Sequence, residues 1–259
     1  LVQLFLCRFD DRQIESHARA CRAIDEAKDE AFARVGEEHR RGREPAEHEV
    51  QGWLMARFTD RGLVTDHPPI VAVNGHAADP HYVPSEARFT PIRRGDLLLI
   101  DLWARESRAD DPYADITWMA FCGDRPTPRM EEVFRVVAGA RDTGFDLVAS
   151  AFREGRRLQG WQVDRAVRDH VEARGFGERF VHRTGHSIGF ASPHGDGANM
   201  DDLETHDTRE LVERTAFSIE PGVYLPDEGI GVRLEIDVVL APGGPRIFSK
   251  LQQELVRIT

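Results

Sequence analysis

Cysteine is scarce in this chain: Cys7, Cys21 and Cys122 are the only three in 259 residues, and no two form a C-x-x-C pair. That excludes a disulfide framework and a cysteine-based zinc centre. It fits a reducing compartment, so a cytoplasmic location is expected. Basic charge is also in deficit. Lys and Arg number 34 against 45 Asp and Glu, a formal net charge of −11. No cationic surplus exists to meet phosphates, which argues against nucleic acid as a partner. Apolar runs are all too short to span a bilayer, so no membrane partner is expected. The opening Leu1–Leu6 stretch lacks a basic n-region and a cleavage signal, so it is not a signal peptide. The chain opens on Leu and not Met, and it is read as a fragment whose upstream residues are missing.

What is present is an ordinary globular composition, 41% hydrophobic and 31% charged, patterned in four blocks. Ile14, Ala18, Cys21, Ile24, Ala27 and Ala31 recur on one helical face between about Asp11 and Val35. A second helix runs from Pro45 to Arg61, with Gly62 as its stop. Apolar strands follow at Ile70–Val73, Asp96–Trp103 and Tyr113–Cys122. The polar stretch Ala104–Pro112 turns the last two into a hairpin. Helices at Pro128–Ala151 and Gln159–Arg174 come next, then loops rich in Gly, Asn and Asp over Gly195–Asp207, then strands Ala216–Tyr224 and Gly231–Leu240. Helix pair, strands, helix pair, strands predicts an α+β fold of two similar halves around one antiparallel sheet. No linker interrupts it, so residues 1–259 are expected to form a single domain.

Several acidic residues sit where strands disfavour them. Asp101 closes the apolar run Leu97–Ile100, where an unpaired carboxylate would be costly to bury. Asp115 lies inside Tyr113–Trp118, although Asp is depleted mid-strand. Glu220 stands between an apolar run and a Pro-Gly turn. Strand alternation puts Arg233, Glu235 and Asp237 on one face. His186 follows Gly185 and lies four residues after His182. Any one of these has a dull explanation in solvent or a turn. Together, four carboxylates converging on one place would repel strongly unless divalent cations neutralised them. Carboxylates with one imidazole suit Mn, Co, Fe or Zn, at the spacing of about 3.5–4 Å usual for two-metal hydrolysis.

The run His182-Arg183-Thr184-Gly185-His186-Ser187-Ile188-Gly189 resembles the H-R-T-G-H-G-I-G motif of prolidases and Xaa-Pro aminopeptidases. Ser218–Tyr224 is similar to their I-E-P-G-x-Y, Gly231–Glu235 to their G-V-R-x-E, and Leu99–Leu102 and Tyr113–Thr117 to their two aspartate motifs. The order matches over nearly the whole chain. The resemblance implies a pita-bread fold whose dinuclear site is held by Asp101, Asp115, His186, Glu220 and Glu235. The metal pair would be two divalent ions, manganese first, with Co, Zn or Fe as alternatives. Glu220 would also shuttle the proton of an attacking hydroxide held between the metals. His81, in Pro80-His81-Tyr82, would help bind substrate; His182 matches a histidine four before the ligand His that is typical of the Xaa-Pro branch and is counted with the catalytic residues; His194 would contact the scissile amide, and Arg233 would shape the substrate end. The implied activity is cleavage before proline, of the Xaa-Pro aminopeptidase or dipeptidase type. A hydrolase or lyase of a small non-peptide substrate on the same fold is the alternative, and an inactive binding module comes third. Relatives are frequently dimers, which makes a homodimer the assembly to test. The separate N-terminal domain of many relatives is absent from this chain. The remaining histidines, His17, His39, His48, His67, His76, His170 and His206, are assigned to surface or structure.

Four departures from the family pattern stand out. Asp101 and Asp115 are fourteen apart where eleven is usual, a difference assigned to the Arg105–Pro112 turn. His194 comes eight after His186 where seven is usual. Gly195 replaces an acidic residue and Trp118 replaces an arginine. All are expected to touch the region around metal or substrate.

Overall fold

The computed structural model describes residues 2–259. After a short helix α1 (Val2–Leu6), the chain enters α2 (Asp11–Arg40) through a capping box. Asp10 accepts the Gln13 N–H at 2.7 Å, and the Gln13 side chain accepts the Asp10 N–H at 2.9 Å. The helix outlasts its predicted end at Val35 because Gly36, Glu38 and His39 are still buried, His39 against the Ile92 carbonyl at 2.9 Å. Helix α3 (Glu47–Asp60) completes the first pair.

Strands β1 (Ile70–Val73), β2 (Leu97–Ala104) and β3 (Ala114–Phe121) form an antiparallel meander, and β9 (Val256–Arg257) joins β3 in parallel. Register decides what each face carries. Asp101 pairs with Thr117, and Trp103 pairs with Asp115. Directly opposed residues share a face, and successive residues alternate. One face therefore presents Leu98, Ile100, Leu102, Ile116, Trp118 and Ala120 to α2 and α3, where they join Ile24, Val35, Leu54 and Phe58 in one core. The other face carries Leu97, Leu99 and Met119 into a second core with α4 (Pro128–Arg153) and α5 (Gly160–Glu172). At its end that same face holds Asp101, Asp115 and Thr117. The long turn between β2 and β3 leaves this pairing intact. It is anchored instead by Arg12, which bonds Asp110 at 2.7 Å and Asp111 at 2.5 Å. Register also corrects the expectation for Trp118: it faces α2, with Lys28 Nζ 3.3 Å above its ring, and lies away from the aspartates.

The second half holds β4 (Ala216–Ile219), β5 (Gly222–Leu225), β6 (Ile230–Arg233), β7 (Ile236–Ala241) and β8 (Gly244–Arg246). Each of the two long strands expected here is split in two. The breaks fall at Glu220-Pro221 and Leu234-Glu235. At these points Glu220 N turns to the Thr184 carbonyl at 2.7 Å and Glu235 N to the Thr117 carbonyl at 3.2 Å. The strands consequently form separate ladders, β4-β7-β8 and β5-β6, beside the first sheet. Both breaks place a glutamate at the point where the backbone changes partner.

Candidate metal centre

All nine side chains singled out from the sequence line one cavity of 670 Å³: Asp101, Asp115, His186, Glu220, Glu235, His81, His182, His194 and Arg233. His67, assigned to surface, lies on the same wall. Three of the five candidate ligands, Asp115, His186 and Glu235, have ligand atoms within 4.8 Å of one another. His186 Nε2 is 3.4 Å from Glu220 Oε1 and 3.7 Å from Asp115 Oδ2. Asp101, Asp115, His186 and Glu235 are all buried, while Glu220 is half-buried and open to the cavity.

Each is held from behind. His186 Nδ1 bonds the Ser187 carbonyl at 3.0 Å, which makes Nδ1 the protonated nitrogen and leaves the Nε2 lone pair facing the carboxylates. The Ser218 hydroxyl accepts the His186 N–H at 3.0 Å and donates to Glu220 Oε1 at 3.0 Å. Thr117 donates to Glu235 Oε2 at 2.8 Å, and Asp237 accepts the Asp115 N–H at 2.7 Å. Arg233 pairs with Asp101 and reaches Tyr224 at 3.2 Å and Thr117 at 3.3 Å. Thr117 and Ser218 escape sequence reasoning because both are ordinary strand residues. The register opposing Thr117 to Asp101 is the signal that would have found one of them.

The histidines divide by contact. His194 stands edge-on to His186, ring centroids 4.2 Å apart, and is exposed to the cavity. His81 is exposed at the cavity mouth. Its loop is fixed through Tyr82, whose hydroxyl donates to buried Glu47 at 2.5 Å. His182 is engaged at both nitrogens, Nδ1 with the Arg183 carbonyl at 2.8 Å and Nε2 with the Tyr224 hydroxyl at 2.7 Å. The 182–186 segment is clamped from α5. Buried Asp164 accepts the Thr184 N–H at 2.9 Å and Arg168 Nε at 2.7 Å, and Arg168 bonds the Phe180 and His182 carbonyls.

Electrostatics show what the cluster requires. Burial, reinforced by Asp101, Asp237 and Glu220, holds the Asp115 carboxyl well above its ordinary range. Burial with Asp115, Glu220 and Asp101 does the same to Glu235. Burial raises Glu220 to about 7, Asp101 adding to it against the pull of Arg233. Burial lowers His186 and His194 to about 4 and His182 to about 3, so all three are neutral at neutral pH. Asp115 Oδ1 is buried with no hydrogen-bond partner among the described residues. Buried carboxylates gathered this closely repel one another with one guanidinium to offset them, and one Asp115 oxygen has no hydrogen bond to stabilise it. Divalent cations satisfy both conditions, so the donor set fits a metal centre of oxygen ligands with one imidazole.

The sequence pattern of Metallopeptidase family M24 matches residues 15–242. The chain is 28% identical over 245 residues to the Xaa-Pro dipeptidase of Pyrococcus furiosus, covering 94% of this chain and 63% of that protein. It is 30% identical over 187 residues to the uncharacterized peptidase YqhT of Bacillus subtilis, covering 72% of this chain and 48% of that protein. Among solved structures, the X-Pro aminopeptidase of Thermotoga maritima superposes with a TM-score of 0.83 at 26% identity, covering 99% of this chain and 66% of that one. Dipeptidase PepE of Mycobacterium ulcerans also superposes with a TM-score of 0.83 at 26% identity, covering 99% and 63%. The chain thus spans 48% and 63% of these two curated relatives. With a family match running through every element of the site, the chain belongs to Metallopeptidase family M24 and has the α+β pita-bread fold of its structural neighbours.

Proposed function

We propose that the chain is the catalytic unit of a metal-dependent peptidase that hydrolyses the bond before proline. The observation carrying this reading is the convergence of Asp115, Glu220 and Glu235 on His186, with Asp101 lining the same cavity and an unpartnered Asp115 oxygen in the set. These five residues would hold a pair of divalent ions, for which the oxygen-rich donor set favours manganese. When bound, such ions polarise a scissile carbonyl and bring water toward ionisation near neutral pH. Glu220 is the residue to take and return the proton, since its carboxylate is half-buried, opens to the cavity and stands 3.4 Å from His186 Nε2. Neutral His194 donates a hydrogen bond to the oxygen of the tetrahedral intermediate. His81 meets the substrate at the mouth. His182, occupied at both nitrogens, acts through Tyr224 and so on the Arg233–Asp101 pair. Burial of all three free cysteines supports a reducing, cytoplasmic setting, and no helix among the described residues is long and apolar enough to cross a membrane.

The test is a panel of short Xaa-Pro peptides, with and without Mn²⁺ or Co²⁺, with Asp115→Asn alongside. Cleavage before proline that requires metal and disappears in the variant is expected. A metal-loaded protein that cleaves none of the peptides overturns the peptide substrate and favours a small non-peptide substrate at the same centre.

A further inference from the structure

Behind Asp115, away from the cavity, α2 and β7 bring together a second set of metal-ligating side chains. His17 and Cys21 are four residues apart on one face of α2, a spacing that stacks their side chains. Asp237 of β7 comes up against them. His17, Cys21 and Asp237 are each 0% exposed. His17 Nδ1 donates to the Tyr113 carbonyl at 2.8 Å, so Nε2 keeps its lone pair. That Nε2 is 3.4 Å from Cys21 Sγ and 3.8 Å from Asp237 Oδ2, and the ligand atoms of the three residues lie within 4.8 Å of one another. Asp237 Oδ2 accepts the Asp115 N–H, while Asp237 Oδ1 is buried without any hydrogen-bond partner among the described residues.

A thiol hydrogen bond from Cys21 to His17 accounts for two of these residues and leaves the third unexplained. It gives Asp237 Oδ1 nothing to bond, and a buried polar oxygen left unpaired is costly. A cation between the three accounts for all of them. Tetrahedral zinc, with Zn–N of about 2.0 Å and Zn–S of about 2.3 Å, holds its nitrogen and sulfur ligands roughly 3.5 Å apart and nitrogen and oxygen roughly 3.3 Å apart. The two distances here, 3.4 and 3.8 Å, lie within half an ångström or so of those edges.

We propose that His17 Nε2, Cys21 Sγ and the Asp237 carboxylate form a mononuclear site for Zn²⁺ or Co²⁺, separate from the dinuclear centre, with the orphaned Oδ1 as the second carboxylate donor. A thiolate among the ligands selects such ions over magnesium or calcium. Binding forms the metal–sulfur bond as the Cys21 proton leaves to solvent. Because the site is closed, the ion is taken up as the chain folds, and it ties α2 to β7. Asp237 also holds the backbone of Asp115, so the ion would brace the strand that presents Asp115 to the cavity. This site is independent of the substrate proposed above.

Sulfur distinguishes the two centres, since Asp101, Asp115, His186, Glu220 and Glu235 supply none. The chain is folded and purified in Co²⁺, and its near-ultraviolet absorption, its cobalt X-ray absorption and its cobalt content are measured. A thiolate-to-cobalt charge-transfer band and a sulfur neighbour at about 2.3 Å are expected in the wild-type chain. Asp115→Asn should keep the band, whereas Cys21→Ser should lose it together with one cobalt per chain. Absence of both the band and the sulfur neighbour from wild type overturns the proposal, and that result needs no variant to fold. A band that survives Cys21→Ser overturns it as well.

Discussion

Gly185 tests how closely the site depends on backbone approach. It lies between Thr184 and His186, in the segment packed against β4. A Cβ at this position would stand 2.7 Å from the Ser218 carbonyl carbon and 3.0 Å from Ser218 Oγ, and closer still to the Ser218 carbonyl oxygen. Optimal carbon contacts are about 3.5–4.0 Å, so Gly185→Ala forces the segment back by roughly 1 Å. No side-chain rotation relieves this, because the obstruction is backbone. Two backbone–backbone hydrogen bonds cross the same gap, Ser218 N to the His186 carbonyl at 2.8 Å and Glu220 N to the Thr184 carbonyl at 2.7 Å. Losing both costs about 1–3 kcal/mol net, and the overpacking adds about 1–3 kcal/mol. For a chain of this size about 2–4 °C of Tm goes with each kcal/mol, so Tm should fall on the order of 10 °C. His186 and Glu220 would separate at the same time, weakening metal binding by roughly ten- to a hundredfold, as for other losses of ligand support. Gly52→Ala is the control. Gly52 sits inside α3 with nothing within 4 Å of its Cβ position, and the change should stabilise by about 0.5–1 kcal/mol. Thermal melts and metal titrations of both variants decide the matter. A Gly185→Ala protein that melts with wild type and binds metal equally well would falsify the close-approach argument.

Three further outcomes follow from the same geometry. Glu220→Gln keeps the size of the side chain and removes the proton acceptor, so kcat on a Xaa-Pro peptide under saturating metal should drop about 10²–10⁴-fold; an unchanged kcat would remove Glu220 from proton transfer. In the metal-free protein Glu220 is raised to about 7 from its ordinary 4.5, so it holds a proton through mildly acid pH that an incoming cation must displace. Metal affinity should therefore rise about tenfold per pH unit for that proton up to pH about 7 and then level off. The linked stability has the matching sign: Glu220's contribution to the metal-free fold is full below the ordinary value and is lost as pH rises through the folded one, so metal should raise Tm more at pH 8 than at pH 5.5. Calorimetry in buffers of different ionisation enthalpy counts the protons, and no release would contradict the assignment. Asp164→Ala strands buried Arg168 and frees Thr184, which should cost about 3–5 kcal/mol in denaturant unfolding and loosen metal retention; a loss below about 1 kcal/mol would show that α5 does not clamp the 182–186 segment.

What the sequence reveals of this fold, and what it hides, divides along a physical line. Strand Ile70–Val73 is legible to the residue because four apolar residues stand between prolines and an Asn-Gly turn. Asp115 is legible because it breaks the rule for a strand interior, and Glu220 because it precedes a proline that no central strand accommodates. Pro221 signals the break at Glu220, but the break at Glu235 is hidden, since alternation runs straight through it. The two breaks are made by carbonyls of Thr184 and Thr117, far off in the chain. The inward face of Trp118 was hidden for a similar reason, since only the β2–β3 register assigns it. Asp164 and Arg168 read as an ordinary i, i+4 ion pair on a helix, and become a clamp only when the 180–184 segment folds over them. Residues that do chemistry violate local preference and so show themselves, while residues that support them obey it and stay silent. His17 and Cys21 are of the silent kind. Either is unremarkable on the buried face of an amphipathic helix, and only the arrival of Asp237 from the last long strand turns them into a set of ligands.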